Sequence, residues 1–274
     1  MQLFAVHISD GFLEWPWWLS GFALALVFWL LGAWRITDRD IPRIGVVTAA
    51  FFVASQLHLP TGVGSVHLVL NGLAGVLLKR RVSIAIGVGL FLQAVLFEHG
   101  GRTMLGLNTC IMTIPAIAAG YAFPVLRRSR ILHLWWVRGL FVALLCGGWL
   151  LLATFATQVA VLKFQRAEIP SLGTMWIASV WVQLGIGIIA ILTAYSERKL
   201  EPDPDFALGL LLGAGTVAAT VVLKALVLWA GGRGDWQALA SADLVAHTPV
   251  IVLEGLAVGF AVRVLSRAKP EWLA

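Results

Sequence analysis

Nine apolar stretches, most of them long enough to cross a lipid bilayer, restrict this chain to one kind of architecture. They run roughly over 16–34, 43–57, 66–78, 82–98, 104–125, 134–161, 172–195, 206–231 and 243–264. A hydrocarbon core about 30 Å thick takes about 20 residues of helix. Lipid offers the backbone no hydrogen-bond partner, so helices are expected for all nine. Composition agrees: 59% of residues are hydrophobic and 12% charged, against roughly half and a quarter in a soluble domain. The expected fold is all-α, a polytopic transmembrane bundle over 1–274 as a single membrane-embedded domain. Residues 1–15 are expected to form an extracytoplasmic arm. Asp10 and Glu14 precede the first apolar run, so no cleavable signal sequence is expected.

A net charge of +6 in a soluble protein would raise the question of nucleic acid. Here Lys and Arg fall in short clusters between apolar runs, which is how topology signals are written. With the N-terminus outside and the segments alternating, the inner loops hold fifteen Lys and Arg and the outer loops four. That bias predicts nine crossings with the C-terminus inside, and it excludes nucleic acid as a partner. Cys110 and Cys146 both lie inside apolar segments and read as packing residues.

The third segment is short. Val66–Leu78 makes about 20 Å of helix at about 1.5 Å per residue. Its inner end is fixed by Lys79-Arg80-Arg81, so its outer end is expected to start below the outer surface, in a cavity lined by protein. Five of six histidines fall toward that side: His7 in the arm, His58 and His67 around the loop 59–66, His99 in a Gly-rich turn and His247 at the last segment. His67 is the leading candidate, because ionisable groups at membrane depth mark pathways. Neutral imidazole suits Ni, Co, Cu and Zn. C-x-x-C, H-E-x-x-H and Walker A motifs do not occur, so any ATP hydrolysis falls to a partner. Gly62-Val63-Gly64-Ser65 faintly resembles an intramembrane serine protease motif, but Val66 stands where the next glycine belongs.

Four ordered motifs carry a family resemblance. His7-Ile8-Ser9-Asp10-Gly11-Phe12-Leu13 resembles the N-terminal signature of the CbiM/NikM family, the substrate-capture components of energy-coupling-factor cobalt and nickel transporters. Ser65-Val66-His67-Leu68 with Gly72 resembles its second histidine motif. Phe97-Glu98-His99-Gly100-Gly101 through Asn108 resembles its His-Gly-Gly turn. His247-Thr248-Pro249 through Glu254-Gly255, with the tail Lys269–Leu273, resembles its closing helix.

The resemblance implies an importer subunit that captures a divalent ion from outside, Ni2+ first and Co2+ next, in the cell (inner) membrane. It implies ATP-binding-cassette ATPase subunits, a membrane coupling subunit and a small accessory membrane subunit as partners, with no organic cofactor. The ligands it implies are the imidazoles of His7 and His67. Asp10, His99, Asn108 and His58 are expected in supporting or transient contacts. A four-nitrogen planar site of this kind favours Ni(II) or Cu(II). The family's second-position histidine corresponds to His7, which six residues precede. Initiation at Val6 would restore the family spacing and supply a terminal amine. Ser9 stands where the family has proline, which loosens the arm. Two alternatives from other classes are an intramembrane enzyme and a non-transporting membrane scaffold.

Overall fold

A computed structural model describes residues 7–60, 65–129, 133–165, 168–169, 174–200, 203–232 and 236–273. Ten α-helices are described: α1 (Trp15–Ala33), α2 (Asp40–Ala54), α3 (Asn71–Leu78), α4 (Val82–Leu96), α5 (Leu105–Ser129), α6 (Trp135–Phe164), α7 (Val180–Leu200), α8 (Pro204–Gly231), α9 (Trp236–Ala246) and α10 (Thr248–Ala268). Five of them, α1, α5, α6, α8 and α10, are long and apolar enough to cross a membrane. The chain is a multi-pass helical membrane protein.

Two departures from the expected segments matter. The last apolar stretch is divided: α9 ends at Ala246, His247 caps the next helix, and Pro249 starts the first turn of α10, a position where proline's missing N–H is harmless. The third segment is not helical from Val66. Ser65–His67 is a strand, β2, paired antiparallel with β1 (His58–Pro60) so that His58 faces His67 across the ladder. Helix begins only at Asn71, after Leu70 in a left-handed conformation (φ 52°). The helical part therefore spans only about 12 Å at about 1.5 Å per residue, and the backbone entering it lies buried at Val66, His67 and Val69.

Small residues let α3 sit this deep. A Cβ on Gly72 would meet Gly213 of α8 at 3.1 Å, and one on Gly75 would overlap the backbone of Ala116 in α5. Helix α1 crosses α5 in the same way, with Gly21 against Leu107 and Gly106 against Phe22. Small residues on α1 and α3 are thus used for close packing within the chain. Leu24, Leu30 and Leu31 of α1 and Ile188, Ile191 and Leu192 of α7 are exposed, as lipid-facing residues are.

The basic clusters gather at one end of the bundle. Arg80 donates to the carbonyl of Trp34 at 2.8 Å, and Arg81 pairs with Asp40 at 2.8 Å. Arg127 holds Asp205 through two bonds of 2.9 Å, and Arg267 reaches Asp203 at 3.1 Å. Arg43 donates to the carbonyl of Trp272 and lies over its ring, tying the C-terminal tail to α2. All five loops that the charge count assigned to one face meet here. The arm, the β1–β2 hairpin, the turn at 97–104 and His247 lie toward the opposite ends of the same helices.

Candidate metal centre

Three segments remote in sequence bring three imidazoles together. The ring of His7 lies 4.9 Å from that of His67 and 5.6 Å from that of His99, and His67 lies 5.4 Å from His99, centroid to centroid. Each offers one nitrogen to a space where all three such atoms lie within 4.8 Å of one another. His67 is 0% exposed, His7 is 3% exposed and His99 is half-buried. The near-equal spacing has a geometric meaning. With metal–nitrogen bonds of about 2.0–2.1 Å, two imidazoles at a tetrahedral angle have centroids about 5.2 Å apart, against about 6.4 Å for a trans planar pair. The three rings form a three-sided cup whose centroid spacings all lie nearer the tetrahedral value than the trans one.

The arm reaches the cup because α5 receives it. Asn108 accepts the backbone N–H of Ile8 at 2.8 Å and donates to the carbonyl of Ile8 at 2.9 Å, gripping both backbone groups of the residue that follows His7. The same amide donates to the carbonyl of Gly100 at 2.9 Å, so one side chain ties the arm to the His99 turn. Asp10 accepts the backbone N–H groups of Arg102 and Thr103 at 3.0 and 2.8 Å and the hydroxyl of Thr103, at the approach to the N-terminus of α5, where a carboxylate is favoured. Burial opposes its charge, but the bonds from Thr103, Arg102 and Met104 outweigh that and hold the carboxyl below its usual range. Ile8 and Leu13 are buried, and Phe12 packs on Trp236 at 4.1 Å.

The His99 turn needs glycine. Gly100 and Gly101 have φ of +85° and +71°, a region that residues with a Cβ rarely adopt. A Cβ on Gly100 would press on the His7 side chain at 3.1 Å, and one on Gly101 would strike Asp10 at 2.5 Å. The backbone N–H of His99 is anchored on the carbonyl of Gln93 at 3.2 Å, and the Gln93 amide in turn donates to Ser55 at 2.8 Å.

The expected site residues sort accordingly. His7 and His67 meet, and His99 joins them as an equal third ring. Asp10 and Asn108 hold backbone in the arm and the His99 turn. His58 is the backbone neighbour of His67 in the ladder. Val6 and the Gly62–Gly64 stretch lie outside the described residues. His247 is fully buried but belongs to a separate group: its Nδ1 lies 2.7 Å from the carbonyl of Asp243, whose carboxylate pairs with Lys224 at 2.8 Å.

Burial keeps the His7 imidazole well below its ordinary value of 6.5, and the neighbouring His67, His99 and Lys224 lower it further. The proton therefore competes for this nitrogen only at lower pH than for a free histidine. A metal ion held by these imidazoles in their neutral form is expected to keep its affinity from about pH 7.5 down to the free-histidine range at about 6.5 and to lose it at lower pH. Unfolded or undocked arm takes up a proton first, below about pH 6.5, so acid also weakens docking of the arm. Equilibrium binding measured across this range checks both; a steep fall in affinity already above pH 6.5 would contradict the depressed value.

The chain matches the model of CbiM, the cobalt uptake substrate-specific transmembrane region, over residues 7–196 and 140–272. A protein of Haemophilus influenzae is 42% identical over 126 residues, 46% of this chain and 59% of its own. The cobalt transport protein CbiM of Limosilactobacillus reuteri is 36% identical over 57% of this chain and 66% of its own. The chain thus spans less than two thirds of the length of these two relatives. The cobalt transport protein CbiM of Sorangium cellulosum is 32% identical over 72% of this chain and 93% of its own. The chain belongs to the CbiM family of substrate-specific transmembrane components of cobalt uptake.

Proposed function

We propose that this protein is the membrane-embedded capture subunit of an energy-coupling-factor importer for a divalent transition-metal ion. The observation that carries the reading is the meeting of His7, His67 and His99, from an arm, a sunken strand and a glycine turn, with nitrogens within 4.8 Å of one another. An all-imidazole cup suits a borderline ion such as Ni2+ or Co2+ and disfavours Ca2+ and Mg2+, which take oxygen. The ion enters at the arm end, which the fifteen-to-four charge bias assigns to the outside. ATP hydrolysis belongs to partner ATPase subunits acting through a membrane coupling subunit, with a small accessory subunit alongside. A transport role is supported over enzymatic or scaffolding ones by relatives named as transport proteins.

The sequence-level preference for nickel rests on a planar four-nitrogen set. The near-equal spacing of the three rings supports a non-planar site, which Co2+ accepts readily and which Ni2+ fills less well. Purified protein is expected to bind one divalent ion per chain, with competition between Co2+ and Ni2+ ranking the two. Absence of stoichiometric binding of either ion, with the fold intact, would overturn the reading.

A further inference from the structure

Glu254 is the seventh residue of the 21-residue lipid-spanning helix α10, about two turns in from its start, and is 0% exposed. A carboxylate at that depth is costly unless it is held. It is held by the turn that follows His67. Its Oε1 accepts the backbone N–H of Val69 and, at 2.8 Å, that of Leu70, and its Oε2 accepts the same Leu70 N–H at 3.0 Å. These N–H groups belong to the two residues immediately ahead of Asn71, the first residue of α3, so the carboxyl holds the turn that leads into that helix. Leu70 itself has φ 52°, which a leucine adopts only when its surroundings impose it.

The peptide that Glu254 grips on one side is the peptide that His67 reads on the other. The N–H of Val69 and the C=O of Leu68 belong to one planar trans unit and point in opposite directions. The carbonyl of Leu68 lies 3.0 Å from Nδ1 of His67. A carbonyl only accepts, so Nδ1 carries the proton and Nε2 presents its lone pair. Ligating histidines are usually fixed by a carboxylate or carbonyl on the second nitrogen. Here the two are in series, carboxylate to peptide to imidazole, and hydrogen bonds in a chain strengthen one another.

We infer that Glu254 is the positioning residue for the metal-binding nitrogen of His67, setting its tautomer and ring orientation through the Leu68–Val69 peptide. Because α10 packs tightly on α8, with Gly213 against Val258 and Gly209 against Gly259, Glu254 is a rigid anchor. The three imidazoles then hang from two supports: His7 and the His99 turn from Asn108 on α5, and His67 from Glu254 on α10.

The inference rests on His67 being a ligand, and the test separates the two claims. Full-length protein is titrated with Co2+, whose visible absorption reports its ligand field, and the histidine ring nitrogens are followed by 15N NMR. Glu254→Gln keeps the size and an acceptor oxygen but not the charge; Glu254→Leu removes both. Co2+ affinity is expected to fall about 10-fold in the first and about 100-fold in the second. The absorption should change, and the His67 signals should shift from a single Nδ1–H tautomer to a mixture. If the leucine variant does not fold, the glutamine variant decides. Wild-type affinity, absorption and tautomer in folded Glu254→Gln overturn the inference, even if its thermal stability drops, because a merely structural role predicts that pattern. Unchanged binding in His67→Ala would instead overturn the ligand assignment beneath it.

Discussion

His67→Ala is expected to abolish high-affinity metal binding while leaving the protein folded in the membrane. The substitution removes one of the three imidazoles proposed to hold the ion. Losing even a supporting partner of a ligand typically lowers affinity 10–100-fold, so loss of the ligand itself should exceed about 100-fold. The fold should survive because the backbone, not the ring, carries the local structure. Residue 67 pairs with His58 in the ladder, and the following turn is held by Glu254. The cavity left is that of one imidazole beside two others, with Val66 and Val69 still packed. Metal titration of the purified variant, with its yield in the membrane fraction and its helix content, gives the answer. Binding within about threefold of wild type would remove His67 from the ligand set, whereas loss of membrane insertion would assign it a role in folding.

Much of this architecture is legible in the residues themselves. Long apolar runs dictate spanning helices, and Arg80, Arg81, Arg127 and Arg267 mark one end because basic residues there find Asp40, Asp203, Asp205 and free carbonyls. His67 is legible as a special residue because the segment it heads is too short to cross. Its strand conformation is not, since Ser65–Leu70 has an apolar pattern that suits a helix and is turned into strand and left-handed turn by tertiary partners: β1 on one side, Glu254 on the other. Glu254 carries a visible signal, a carboxylate within an apolar helix, but nothing in its neighbours says that it faces residues 69 and 70. That contact spans 184 positions of sequence. Separation along the sequence also hides the equality of His99 with the other two rings. Its glycines announce a turn, yet only the docking of the arm against Gly100 and Gly101 brings His7 beside it. The break between α9 and α10 is legible afterwards in Thr248-Pro249, a helix start inside an otherwise unbroken apolar run.

Asn108→Ala should reduce metal affinity nearly as far as loss of a ligand, although Asn108 is placed to touch backbone and not metal. Its amide makes three bonds: one from the N–H of Ile8, one to the carbonyl of Ile8 and one to the carbonyl of Gly100. Ile8 is 1% exposed, so in the alanine variant its peptide groups would stay buried without these partners, at about 1–3 kcal/mol for each group. These losses are shared and do not add fully, but about 3 kcal/mol against the docked arm is enough to lower affinity about 100-fold. The arm then swings free and carries His7 away, while His67 stays on its own anchor. Asn108→Asp discriminates between this account and simple loss of packing. A carboxylate keeps the volume and still accepts from Ile8, but it cannot donate and would face two carbonyl oxygens at about the hydrogen-bond distance. It should therefore bind metal no better than the alanine variant, despite being nearly isosteric. Amide exchange at Ile8 supplies the independent readout: slow in wild type, fast in both variants, and unchanged in His67→Ala. If Asn108→Asp retained wild-type affinity with slow exchange at Ile8, the arm would be held by Asp10, Leu13 and Phe12 alone, and the bond to α5 would be dispensable for capture.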